Sequence, residues 1–478
     1  MIVRRIPMLA ITVAGAVAIG VVARDTPAVG DPVFAVTSEP WMPAAPVEAE
    51  LTSTWFCPGV PAGGEAGTAG EIVIANAGQA AMTGRVTFLG AVDEAVEQPF
   101  EVPPSGRTSV GAAIVNPYAG AVVEIDGGGG LVEQRSTHEA GISVAPCTTS
   151  TSATWYLAEG FTADNSTEQL VLTNPFEQAV IVDIAFATDE GSRQPPELQG
   201  YPVPARSVQV IDMDSIAARD EAQVAVSVVA SRGTLVVGRA QLYDGGGRLG
   251  YSMTLASPAP RSQWWFANGL RGGGVSERFS IYNPTAEDVA VMPLFLGVPT
   301  EVPTEPITVP AGEVVTYATE NVAGLPEGRH AMVFDTDDAA QSLVVERAIT
   351  RTIEGIPTTS VLAGAVPRPV EPLVASTWTL AIGPGEATED ALAVYNSTNA
   401  DATVNVQAVT ASGLQNVPGL EEVRLPAGSL VPLSLTDPLA VDTQLVLRAT
   451  APVFVERSLP REPGARGRSA AWAVPVVG

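Results

Sequence analysis

Two histidines, two cysteines and no lysine stand beside the carboxylates, hydroxyls and arginines of this chain of 478 residues. Without lysine there is no Walker phosphate clamp, Schiff base, Ser-x-x-Lys nucleophile pair or Lys–Asn isopeptide staple. His138 adjoins Glu139, a pairing suited to acid–base work, but no Gly-x-Ser-x-Gly or other nucleophile motif accompanies it or His330. Gly245-Gly246-Gly247-Arg248-Leu249-Gly250 has the spacing of a dinucleotide-binding fingerprint. It leads into the strand pattern Tyr251-Ser252-Met253-Thr254-Leu255, so no helix amino terminus follows to hold a pyrophosphate, and the glycines are read as a hairpin. Asp335-Thr336-Asp337-Asp338 offers oxygen ligands for calcium but lacks the spaced glycine and distal glutamate of an EF-hand, and is read as a solvated turn. Cys57 and Cys147 are predicted to form a disulfide, since a metal site needs further soft ligands. No catalytic residue, metal or cofactor is expected. Paired carboxylates among the 52 acidic residues leave a glycan-active enzyme as the last alternative.

The 25 basic residues, all arginine, give a formal charge of -27 against those carboxylates. Nucleic acid is thereby excluded as a partner, because binding it needs basic groups against phosphate. A composition 46% hydrophobic and 16% charged, with 46 Gly and 40 Pro, is too apolar for disorder and too rich in turn formers for long helices. It predicts many short strands, with only Asp212 to Glu221 hinting at a helix.

The elements that must position any site recur with a period of about 100 to 115 residues. An aromatic opening comes first: Trp55-Phe56, Trp155-Tyr156, Trp264-Trp265 and Trp378. An alternating strand then ends at Asn76, Asn174, Asn283 and Asn396, which lie 21, 19, 19 and 18 positions after their tryptophans. A proline-rich corner follows at Pro103-Pro104, Pro204-Ala205, Pro310-Ala311 and Pro426-Ala427. The last mark is an apolar strand ending in arginine: Leu131 to Arg135, Leu235 to Arg239, Leu343 to Arg347 and Val453 to Arg457. Arg135, Arg239, Arg347 and Arg457 are expected to stack on the opening aromatic of their own domain, with Trp and Arg as structural residues. If exposed, they would instead form a glycan or polymer platform.

Period-two runs bounded by Gly, Pro, Asn and Asp predict an all-β fold, a tandem array of four Ig-like antiparallel β-sandwich domains after an N-terminal hydrophobic helix. Met1 to Arg5 carry two arginines, and eighteen uncharged residues follow, Ile6 to Ala23. As a helix these would span about 27 Å, near the hydrocarbon thickness, with the arginines holding the amino terminus in the cytoplasm. The boundaries expected are 1–24 for a signal peptide or signal anchor, 25–50 for a Pro-rich stalk, and 51–150, 151–260, 261–368 and 369–478 for the four sandwiches. The short joints between them predict a semi-rigid string. Residues 25–478 would lie outside the membrane, or be secreted if the signal is cleaved.

Trp155-Tyr156-Leu157-Ala158-Glu159-Gly160, the strand ending Asn174-Pro175, the Pro-Ala-Gly corner and the closing Glu-Arg resemble a repeat of many exported actinobacterial surface proteins. As a set, over residues 51 to 478, they resemble an actinobacterial family catalogued only as a domain of unknown function. The resemblance implies an envelope location and β-sandwich domains, and it brings no catalytic residues. Two departures stand out: Cys57-Pro58-Gly59 replaces Leu-Ala-Glu-Gly in the first copy, and Gly238 replaces the closing Glu in the second. The expected function is a non-catalytic envelope scaffold that is held at the membrane by its first residues and meets other envelope components. The alternative is a carbohydrate-binding or adhesive module for cell-wall polysaccharide.

Overall fold

Runs such as Val180–Thr188 alternate buried and half-buried positions along most of their length, as expected of a strand with one face on a core. Such runs make the protein nearly all β. The computed structural model describes residues 43–46, 52–62, 68–91, 95–112, 117–216, 218–338, 340–364, 376–460 and 468–477. The expected membrane segment, 1–24, and most of the expected stalk lie outside the described residues. Among the described residues no helix is long and apolar enough to cross a membrane. The helical hint shrinks to the single turn Met213–Ile216.

The described strands form eight sheets, two from each of four successive stretches, called here blocks 1 to 4. In block 1 one sheet has the order Thr52–Pro61, Tyr118–Asp126, Met82–Leu89, Val96–Val102. The other has the order Gly106–Gly111, Ala69–Asn76, Leu131–His138, Gly141–Pro146. The second sheet keeps that order in every block. In block 2 it is Ser207–Asp212, Thr167–Asn174, Val236–Gly245, Arg248–Leu255, and in block 3 Val314–Ala318, Val275–Tyr282, Val344–Ile353, Ile356–Ala363. In block 4 it is Leu430–Leu435, Thr388–Asn396, Val453–Pro460, Arg468–Trp472.

The expected string is not what forms. All described residues belong to one compact unit, 37–478, in which block 1 meets block 2, block 2 block 3, block 3 block 4, and block 4 returns to block 1. The last strand of each second sheet faces inward. The Met253 amide of block 2 donates to Ser143 Oγ of block 1 at 2.8 Å, and the Val144 amide of block 1 to Ser469 Oγ of block 4 at 3.2 Å. The Trp472 indole of block 4 donates to the Ala363 carbonyl of block 3 at 2.9 Å. A sheet that leaves an apolar edge strand uncovered must bury it somewhere, and the four second sheets bury theirs on one another.

The described end of the expected stalk is also not free. Ala45–Pro46 pairs in parallel with the final strand, Ala45 opposite Val476 and Pro46 opposite Val477. The extended backbone that proline favours is also what a sheet edge accepts.

Candidate functional site

Asn76, Asn174, Asn283 and Asn396 are buried and make the same network in all four blocks. Each Nδ2 donates at 2.8 Å to the carbonyl four residues on, at Ala80, Gln178, Glu287 and Ala400. It also reaches the proline corner, at Pro103, Pro204, Pro310 and Pro426. Each Oδ1 accepts the amide two residues on, from Gly78, Phe176, Thr285 and Thr398. One side chain thus closes the turn after its strand and ties that turn to the corner, which is why both marks recur together.

Trp55, Trp155, Trp264 and Trp378 are 0 or 1% exposed. The Trp155 and Trp264 indoles donate to the Leu235 and Leu343 carbonyls at 3.0 and 2.8 Å. Three positions after Trp155, Trp264 and Trp378, the chain turns two backbone amides toward the neighbouring block. In block 2 the amides of Ala158 and Glu159 donate to Glu346 Oε2 of block 3 at 2.9 and 2.6 Å, and Arg239 Nη1 lies 3.0 Å from the same oxygen. In block 3 the amides of Ala267 and Asn268 donate to Glu456 Oε2 of block 4 at 3.1 and 3.0 Å, while Arg347 pairs with Glu456 Oε1. In block 4 the Arg457 guanidinium pairs with Glu133 Oε1 of block 1, and the amides of Ala381 and Ile382 face the same carboxylate, whose Oε2 has no hydrogen bond. All three glutamates and all three arginines are buried.

The arginines therefore do not simply stack on their own opening aromatics; each is bound to a carboxylate of the following block. Arg347 alone also has a ring of its own block beneath it, Phe266 at 5.6 Å. Arg135 departs further. Strand pairing aligns Glu133 with Val73 and Gln134 with Ile72, three and four residues before Asn76. The same positions before Asn283 carry Glu346 and Arg347, and before Asn396 Glu456 and Arg457. Gln134 thus occupies the arginine position. Arg135 lies one residue beyond, on the opposite face, partly exposed and paired with Glu71.

The fourth junction, block 2 on block 1, replaces the glutamate, the arginine and the first of the two amides. Gly238 stands where the glutamate would be, opposite Val171. Pro58, without an amide hydrogen, stands at the position of Ala158, Ala267 and Ala381, of which the first two donate. Gln134 replaces the arginine, and its Oε1 accepts the Gly59 amide at 3.2 Å. A Cβ on Gly238 would lie 2.8 Å from Pro58 Cγ. The Cys57–Cys147 disulfide is formed, with Cys57 immediately before Pro58. Thr173 Oγ1 of block 2 completes the contact by donating to the Pro58 carbonyl at 2.5 Å.

Burial dominates the electrostatics. It pushes the Glu346 carboxyl above its ordinary range, against the pull of Arg239 and the two amides, and acts likewise on Glu133 against Arg457. Glu168 lies six residues before Asn174, wholly buried, with no hydrogen bond to either oxygen. Burial pushes it up to about 8; Arg239 lowers it, while Glu346 and Glu159 push it further up. Glu277, at the equivalent place in block 3, is also raised by burial, but His330 at 2.7 Å and Arg347 outweigh that and hold it below the ordinary range. Glu159 meets Arg248 at 2.5 Å and accepts from Ser280 of block 3.

The other sequence candidates fall apart from these junctions. His138 stacks on Tyr251, centroids 4.8 Å apart, and with Glu139 lines a cleft of about 320 Å³ against Asp244, Leu249 and Gly250 of the glycine hairpin. No nucleophile and no phosphate-cradling helix end lies there. The Asp335 to Asp338 run is a turn, its Asp337 amide donating to Asp335 Oδ1 at 3.1 Å. Among the described residues no group of three or more His, Cys, Asp or Glu side chains is placed to hold a metal. Glu133, Glu346, Glu456, Pro58, Gln134 and Gly238 were not singled out as a site from sequence. The spacing Trp-x-x-Ala-x-Gly, at Trp155, Trp264 and Trp378, was the available signal for the amide pairs.

Comparison with curated proteins gives no match. Among solved structures, a crystal structure from Thermotoga maritima aligns at 12% identity over 22% of this chain and 93% of its own, with a TM-score of 0.20. Residues 130–247 and 240–475 match the family described as a family of unknown function, DUF5719. Those matches cover more than half of the sequence, and the chain belongs to that family.

Proposed function

We propose that the protein is a non-catalytic scaffold of the cell envelope, held outside the membrane by its first two dozen residues, its four blocks being immunoglobulin-like sandwiches copied from one repeat. The burial of all four opening tryptophans carries this reading. A polysaccharide platform needs exposed rings, and the recurring aromatic and arginine side chains are consumed inside and between the blocks. Arg239, Arg347 and Arg457 are bound to carboxylates and have no surface left for a polymer. The resemblance to exported actinobacterial surface repeats, the uncharged run Ile6 to Ala23 and the disulfide support the location. A closed assembly of sheet pairs offers other envelope components a rigid, acidic outer surface.

The test is cross-linking on intact cells, followed by membrane fractionation and purification of the full chain. The expected outcome is a membrane-associated protein, digested by protease added outside, that carries cross-linked envelope proteins. Retention on purified cell-wall polysaccharide without any protein partner would favour the adhesive alternative, and a protease-protected cytoplasmic chain would overturn both.

A further inference from the structure

We infer that the four junctions carry a docking code: a loop with two amides beside an arginine accepts a strand presenting glutamate, and the loop with Pro58 beside Gln134 accepts only a strand presenting glycine. The three residues that define the exception come from distant parts of the sequence, positions 58, 134 and 238, and meet only at the contact of block 1 with block 2. Each is unfavourable in the company of the other junctions' residues. A glutamate at 238 would drive its Cβ into the Pro58 ring and bury a carboxylate where proline has no N–H to offer. An arginine at 134 would be a buried guanidinium facing no carboxylate of block 2. An alanine at 58 would add an amide donor aimed at a glycine.

Exchanged together they are compatible, because the Gly59 amide is satisfied by Gln134 within block 1 and the space of the lost side chain is filled by Pro58. The block 1 loop therefore refuses the strands that carry Glu133, Glu346 and Glu456. Conversely, the strand that carries Gly238 would take from the amides of Ala158 or Ala267, and from the arginine beside them, the carboxylate that they now hold. Of the possible pairings, the one in which block 2 sits on block 1 sets Gly238 against Pro58 and keeps the Gly59 amide on Gln134, so these residues select which surface docks on which, within one chain and against a second copy alike.

The test uses the full chain with three changes made singly and together. Gly238→Glu alone is expected to lower the midpoint of thermal unfolding and to open the joint at residues 148–152 to protease. Gly238→Glu with Pro58→Ala and Gln134→Arg is expected to regain more than half of that loss and to close the joint again. A triple variant no more stable than the single one overturns the code. Should Gly238→Glu fail to fold, the reverse conversion at the block 3 to block 4 junction decides. Glu456→Gly takes the carboxylate from two amides and leaves Arg347 with Glu277 at 3.7 Å as its acid partner, and adding Arg347→Gln is expected to recover part of the loss; a second substitution that merely adds its own destabilisation overturns the code as surely.

Discussion

Glu168 and Glu277 occupy one strand position in two blocks, and His330 is the main difference between their surroundings. Opposite Gly269 in block 3 stands His330; in block 2 the Val224 amide bonds to the Gly160 carbonyl, and Val224 gives Glu168 no partner. Both glycines are required by close approach, since a Cβ on Gly160 would lie 2.3 Å from the Glu168 carboxylate and one on Gly269 2.4 Å from His330 Nε2. The pH dependence follows in sign. The folded protein binds the Glu168 proton up to about 8, whereas an unfolded chain releases it near the ordinary carboxylate value. Its contribution is therefore fully present below about 4.5 and lost as pH rises through about 8. Glu277 acts oppositely, contributing above the ordinary value and losing that contribution in acid. Glu168→Gln is expected to flatten the fall in melting temperature between about pH 5 and about pH 9. An unchanged slope would show that Glu168 is not the proton-binding group.

At the scale of strands and turns, two substitutions separate the network inside a block from the clamp between blocks. Asn283→Ala removes the donor to Glu287, Val309 and Pro310 and the acceptor for Thr285. It leaves buried carbonyls unpaired and should cost about 2 to 3 kcal/mol in chemical denaturation. Arg347→Ala leaves the carboxylate of Glu456 buried against two amides alone, and about 3 to 5 kcal/mol is expected. Because Glu456 belongs to block 4, that loss should register in the full chain; residues 261–368 in isolation lack the partner. Equal, small effects of Arg347→Ala in both would mean that packing on Phe266, not the carboxylate, is what the arginine contributes.

For the molecule as a whole, closure depends on contacts across the sequence. Arg107 of block 1 reaches Asp442 of block 4 at 2.7 Å, and Ala45–Pro46 pairs with the last strand. The disulfide closes a separation of 90 residues and sits at the one junction that has no ion pair among the described residues. Replacing Cys57 and Cys147 by serine should cost about 4 to 5 kcal/mol by loop entropy. The loss should be larger than the same chemistry would produce in a block braced by glutamate and arginine on both sides. A mass map under non-reducing conditions should show the Cys57–Cys147 link, and two free thiols in the protein purified without reductant would contradict it.

Sequence alone determined the strands, the turns and their spacing. Period-two burial and the residues Asn, Pro and Gly act over a few positions, so Asn283 and its corner could be read from neighbours less than thirty residues away. The link between Cys57 and Cys147 was likewise legible, because only two cysteines exist to pair. The junctions were not. Glu456 and Arg347 stand 109 positions apart and Glu133 and Arg457 stand 324 apart, and no local pattern states which strand a pair of amides will meet. Counting back from the terminal arginine even misplaced Arg135 by one residue, whereas the ladder to Val73 and Ile72 assigns the inward positions to Glu133 and Gln134. Register is set by the partner strand and by what the neighbouring block buries, so only the tertiary structure decided which carboxylates lie inside and which block each one holds.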